Sequence, residues 1–195
     1  MRYNKDGKGY PSVTEIISDV YAKDIEFWRW RLRDEEKAKK IGLAAANKGT
    51  LTHNFLAKLG KGKKVKTPAG KAPLKDNFKS YMKNKHVVLS EEKLFDIENG
   101  FAGTPDMVWK GKPDGYDVPI TVLEDYKTGK IRREGELQLG GYSLLLKTEG
   151  IQANLGRLVQ VKGNAIIPAP YIDLHRLETM FLNTLELYKW KHDKS

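Results

Sequence analysis

Phe101-Ala102-Gly103-Thr104-Pro105-Asp106-Met107-Val108-Trp109 and, after a turn, Ile120-Thr121-Val122-Leu123-Glu124-Asp125-Tyr126-Lys127-Thr128 make up the stretch from which the fold is read. Both segments are rich in β-branched and aromatic residues, so each reads as a strand. Lys110-Gly111-Lys112-Pro113-Asp114-Gly115-Tyr116 between them supplies Pro, Asp and Gly for a turn, which predicts an antiparallel hairpin. Alternation along the second strand puts Asp125 and Lys127 on one face and Glu124 and Tyr126 on the other. Alone, an aspartate beside a lysine on a sheet is an ordinary ion pair. The hairpin changes that reading, because it can set Asp106 beside Asp125, and two converging carboxylates repel unless a cation lies between them.

A hard divalent ion meets that demand, since Mg²⁺ takes oxygen ligands and keeps several waters. Phosphodiester hydrolysis needs a deprotonated water, stabilised phosphoryl oxygens and a stabilised leaving oxygen. An ion held by Asp106 and Asp125, with Lys127 beside it, can supply all three.

Outward from the hairpin, Ser12 with Glu15 three residues later has the pattern of a capping box and predicts a helix start. A second helical stretch over 25–40 carries Phe27, Trp28 and Trp30, read as core positions. A third, over 43–59, has Leu51, Phe55, Leu56 and Leu59 at helical spacing, contains His53 and is ended by Gly60. The loop 60–66 is basic and reads as solvated. A short helix over 74–83 precedes a first strand over 86–97. Beyond the hairpin, a helix over 134–146 puts Gln138 and Tyr142 on one face. Strands over 155–161 and 164–167 follow, joined at Lys162-Gly163. A closing helix over 173–192 carries Leu174, Leu177, Phe181, Leu185 and Tyr188 as a buried stripe. This order predicts one α/β domain over 1–195 with a central mixed β-sheet flanked by helices, residues 1–84 being a helical N-terminal part and 85–195 the sheet core with its closing helices.

Composition sets limits on function. The chain has 35 Lys and Arg against 25 Asp and Glu, a formal net charge of +10. That excess suits a polyanionic partner, because cations that neutralise phosphates release condensed counterions. It also simply keeps proteins soluble, so basicity gains meaning only beside a site. With no cysteine, disulfides, thiolate zinc sites, cysteine nucleophiles and cysteine-held iron-sulfur clusters are excluded. No apolar run approaches the ~20 residues of a membrane span. The opening residues have neither the core of a secretion signal nor the character of a transit peptide, and a cytoplasmic location is expected. No phosphate-binding Gly-x-x-x-x-Gly-Lys-Ser/Thr loop of a motor occurs.

Taken together, Pro11-Ser12-Val13-Thr14, Gly49-Thr50-Leu51-Thr52-His53, Glu91, Gly103-Thr104-Pro105-Asp106, Asp125-Tyr126-Lys127-Thr128-Gly129 and Gln138-Leu139-Gly140-Gly141-Tyr142 resemble the PD-(D/E)XK nucleases. Within them the order and spacing are similar to the RecB-like exonuclease branch that includes the mitochondrial genome maintenance exonuclease. The resemblance covers most of the chain. It implies the restriction-endonuclease-like core, and one or two Mg²⁺ or Mn²⁺ ions held by Asp106, Asp125 and the backbone carbonyl of Tyr126. It also implies that Lys127 positions or activates the attacking water and that His53 is a further ligand. A strand glutamate near the site is matched by Glu91 or Glu92, with Glu91 preferred. Gln138 and Tyr142 match a helix that supports the site or contacts DNA. Lys130, Arg132 and Arg133 follow the catalytic strand and can bind the scissile strand or a terminal phosphate, or equally form a solvated turn. Relatives with an iron-sulfur staple need cysteines that this chain lacks.

The expected activity is a metal-dependent DNA exonuclease that prefers single-stranded ends and serves replication, recombination or repair, in a bacterial or phage-infected cell given the small size. A flap or branch endonuclease of the same fold is the alternative from the same chemistry. A noncatalytic nucleic-acid-binding module with this fold is the alternative from another class, and the complete Asp106, Asp125 and Lys127 set argues against it.

Overall fold

The molecule is described by a computed structural model over residues 3–21 and 35–193. Ser12 caps the first helix, α1 (Val13–Val20), by accepting from the Glu15 N–H at 2.9 Å, which satisfies one of the donors a helix start leaves open. The side chain of Glu15 accepts from the Tyr188 hydroxyl at 3.2 Å, so the cap also ties α1 to the end of the chain. Ahead of α1, strands β1 (Tyr3–Lys5) and β2 (Lys8–Tyr10) form a hairpin. Its turn has Asp6 at φ 53° and Gly7 at φ 78°, two positive values that Asp-Gly supplies at least cost. This corrects the expectation of a purely helical N-terminal part.

Helix α2 runs unbroken over Glu35–Gly60, so the described end of the second expected helix and the whole of the third are one element. Phe27, Trp28 and Trp30 lie outside the described residues. Helix α3 (Ala72–Tyr81) follows, with Pro73 in its first turn, where a missing N–H costs nothing.

The single strand expected over 86–97 is two, β3 (Lys85–Leu89) and β4 (Leu94–Asp96). The strand expected over 101–109 is also two, β5 (Phe101–Gly103) and β6 (Met107–Gly111). The second break falls at Thr104-Pro105-Asp106, where proline cannot donate to a ladder. Strand β7 (Ile120–Lys127) pairs antiparallel with β6, as expected, and parallel with β8 (Leu155–Lys162). Helix α4 (Arg133–Thr148) is the crossover between those two parallel strands. Strand β9 (Ala165–Pro168) turns back on β8 at Gly163, and a short β10 (Ile172–Asp173) leads into α5 (Leu174–His192), capped by Asp173.

The result is an α/β domain with a mixed central sheet in the order β10-β8-β7-β6-β3 and β9 paired to β8. Helices flank it. Leu123, Val108 and Leu158 of the sheet pack with α1, α4 and α5, while Val122, Tyr126 and Val159 pack with Phe55 and Leu56 of α2 and Leu74 and Phe78 of α3. On the second face Glu124 is fully buried but satisfied. It accepts from Tyr81 at 2.6 Å, Arg157 at 2.7 Å and Tyr126 at 3.0 Å, with the Lys85 ammonium at 3.7 Å. A buried carboxylate is tolerable only with such partners. Among the described residues, no helix is long and apolar enough to cross a membrane.

Candidate active site

Register fixes the first two carboxylates. Met107 pairs with Glu124 across β6 and β7, so the next residues outward, Asp106 and Asp125, are neighbours at the end of the hairpin. Both are buried. One oxygen of Asp106 accepts from the Tyr126 backbone N–H at 2.7 Å, and the other is 2.9 Å from Nδ1 of His53 on α2. The Asp106 carbonyl accepts from the buried Ser90 hydroxyl at 2.9 Å. The Glu91 N–H donates to the Pro105 carbonyl at 3.0 Å.

Those bonds bring the 90–93 turn against the 104–106 break, and the two interruptions of the expected strands meet there. A ligand atom from each of His53, Glu91 and Asp106 falls within 4.8 Å of the others. Glu91 holds its place at φ 49°, a left-handed conformation that non-glycine residues adopt at some cost and that clusters at functional sites. Glu92 is exposed and lies 3.4 Å from Lys61, so Glu91 is the glutamate at the site.

Asp125 does not belong to that tight trio. Its Oδ2 is 2.6 Å from the Lys127 ammonium, and this oxygen, buried, has an ionic partner but no aligned hydrogen bond. The Lys127 ammonium donates to Oε1 of Gln138 on α4. The Gln138 amide in turn donates to Oγ1 of Thr14 on α1 at 3.3 Å. Lys127 is thereby held between a carboxylate and an amide. Tyr142, one turn after Gln138, is buried and approaches Thr14 as well. Gln138 therefore holds the lysine directly, while Tyr142 meets the same threonine. Thr14 and Thr104 stood in the motifs read from sequence but were given no role, and Ser90 was not singled out, since a hydroxyl's role there depends on contacts between segments far apart in the chain.

Electrostatics follow the geometry. Burial, and then the Asp106 carboxylate beside it, push the Glu91 carboxyl up to about 7. Burial pushes Asp125 up to about 6, against the pull of Lys127 and with the push of Asp106. For His53 burial works against the imidazolium, yet the bond to Asp106 and the charges of Asp106, Asp125 and Glu91 outweigh it, so its pKa lies above the ordinary value. A site that crowds acids until they resist ionisation and draws a proton onto an imidazole is short of positive charge. Its donors are carboxylate oxygens and an imidazole nitrogen, a set that could hold a divalent cation.

Lys130 and Arg132 on the connection from β7 to α4, and Arg133 at the first position of α4, are exposed. Lys63, Lys64 and Lys66 of the basic loop are likewise exposed.

No family model matches this chain, and no curated protein matches it. Among solved structures it is similar to the crystal structure of SSO0001, with 16% sequence identity, a TM-score of 0.50 and coverage of 98% of this chain and 80% of that one. At that identity the likeness speaks for a shared α/β fold.

Proposed function

We propose that this chain is a Mg²⁺- or Mn²⁺-dependent deoxyribonuclease with a PD-(D/E)XK core, acting as an exonuclease on single-stranded DNA ends. The observation that carries the reading is the convergence of His53, Glu91 and Asp106 within 4.8 Å, next to an Asp125–Lys127 pair at 2.6 Å. A structural ion pair would not need the strained Glu91 backbone or an acidic group that burial has pushed toward neutrality.

In this reading His53, Glu91, Asp106 and Asp125, with the Tyr126 carbonyl, hold the ion or ions. When bound, a divalent ion lowers the pKa of water and offsets charge on phosphoryl oxygens. The protein supplies the rest. Lys127 holds the attacking water or a phosphoryl oxygen by charge-assisted hydrogen bonds. Gln138 and Asp125 fix its ammonium so that little reorganisation is needed during reaction. Asp106 is itself fixed by the Tyr126 N–H and His53, which keeps its free lone pairs aimed at one point. Lys130, Arg132 and Arg133 offer cations to the strand leaving or entering the site.

Digestion of end-labelled linear and closed circular DNA, single- and double-stranded, tests this reading. Linear single strands are expected to be degraded with Mg²⁺ or Mn²⁺ and spared with chelator, while circles stay intact. Nicked circular single strands would move the assignment to an endonuclease, and no cleavage of any substrate with either metal would remove the enzyme.

A further inference from the structure

The acidic trio forms only part of the lining of a cavity of about 780 Å³, which also includes Tyr3, Asn4, Lys93, Phe95 and Thr104. That volume falls in the range of roughly 300–1,000 Å³ typical of sites that enclose a small ligand, and its character changes from anionic to aromatic and cationic. Tyr3 is held from two sides. Its hydroxyl shares a 2.9 Å hydrogen bond with Oγ1 of Thr104, and its ring meets Phe95 edge-on at 6.0 Å. Phe95 is braced in turn by Tyr10, edge-on at 5.6 Å, and has the Lys5 ammonium 5.3 Å from its centroid.

The β1–β2 hairpin thus serves to present one aromatic ring, and because Thr104 lies two residues before Asp106, the same short segment positions both ring and carboxylate. Tyr3 remains partly exposed, so part of its surface is available to a ligand. We infer that this cavity is a subsite for one unpaired nucleotide adjacent to the scissile phosphate, with the Tyr3 ring as the platform on which its base stacks. The inference rests on the nuclease reading and adds to it the reason for single-strand preference. A base inside a duplex has both faces covered by its neighbours and its edge engaged in pairing, so away from the duplex ends only an unpaired or extruded base can lie on a protein ring. Asn4 and Lys93, both exposed, supply an amide and a cation for the sugar-phosphate. Stacking on a ring is tolerant of sequence, because every base has a π-face.

The test uses the full chain in chelator, so that binding is read without turnover. The probes are single-stranded oligonucleotides carrying 2-aminopurine at successive positions, and a blunt duplex. The fluorescence of one position is expected to be quenched on binding to the wild type. Tyr3→Ala is expected to remove that quench and to weaken single-strand binding about tenfold, the size of one lost base stack, with duplex binding unchanged. Tyr3→Phe, which keeps the ring, is expected to keep both. Equal quench and affinity in Tyr3→Ala, or parallel losses for single strand and duplex, overturn the subsite. Should Tyr3→Ala fail to fold by circular dichroism, the wild type decides alone: no quenched position along the strand overturns it. Cleavage with Mg²⁺ is scored separately. Cleavage without Tyr3-dependent binding removes the subsite only, and Tyr3-dependent binding without cleavage removes the nuclease reading only.

Discussion

Glu91 lies in the left-handed region, at φ 49°, and its carboxyl is pushed up to about 7 by burial and by Asp106. Asp125 is raised to about 6 and His53 also lies above its ordinary value. All three shifts have one sign. A group whose folded pKa is raised contributes stability below its unfolded pKa and loses it as pH rises through the folded value. The metal-free protein should therefore lose stability as pH rises from about 4, the ordinary carboxyl value, through about 7 for Glu91, with the share of His53 lost above the ordinary imidazole value. A divalent ion needs the deprotonated ligands, so its stabilisation should grow over the same window. We expect the rise in Tm on adding Mn²⁺ to be small at pH 5 and large at pH 8, measured by thermal denaturation with and without chelator. A rise that is equal at the two pH values would argue that these groups do not bind the ion. At this scale Asp106, Asp125 and Lys127 were legible in the sequence, because strand parity and a hairpin turn suffice to bring them together. Ser90 and Tyr3 were not, and Thr14 was legible only as part of a motif without a role, since each meets the site through a contact that local pattern does not encode.

Helix α4 shows how packing serves the site. A Cβ on Gly140 would lie 2.2 Å from the Leu177 carbonyl oxygen of α5, and one on Gly141 would lie 2.9 Å from Val13 and Phe181. A Cβ on Gly103 would likewise press within 2.9 Å of the Tyr142 ring. These glycines let α1, α4, α5 and β5 approach closely enough for Thr14, Gln138 and Lys127 to link up. Two effects oppose each other in Gly140→Ala. Alanine favours a helix interior by about 1 kcal/mol, whereas overpacking against backbone costs typically ~1–3 kcal/mol and at times more. Backbone at 2.2 Å cannot yield as a side chain can, so a net destabilisation of about 2 kcal/mol is expected in urea unfolding; a variant as stable as the wild type would contradict the close crossing. Among the elements, the order of strands and helices from β6 onward followed from periodicity, and the helix stops at Gly60 where a glycine was expected to end it. The two strand breaks were missed although polar residues mark both, Ser90-Glu91-Glu92-Lys93 at the first and Thr104-Pro105-Asp106 at the second. The N-terminal hairpin was missed although Asp6-Gly7 is a strong turn signal, because its three-residue strands are too short to show alternation.

At the scale of the whole molecule, the site sits where the parallel pair β7 and β8 ends, the place at which open α/β sheets bind ligands. Both helical layers contribute to it, α1 and α4 from one face and α2 from the other, through His53. A Cβ on Gly49 of α2 would come 3.3 Å from the Thr128 hydroxyl just past β7, so α2 is packed tightly at that end. The mixed sheet with flanking helices was legible from element order. The joining of distant segments at one end of it depended on tertiary contacts alone. In the proposed function, this assembly of acids, imidazole and lysine hydrolyses DNA. Turnover of end-labelled single-stranded DNA with Mn²⁺ by wild type and Asp125→Asn, with binding measured in parallel, tests it most directly. Asp125→Asn is expected to lose at least about 100-fold in turnover, the scale of a lost charge-stabilising group, while binding DNA nearly as well as the wild type; unchanged turnover in that variant would rule the nuclease reading out.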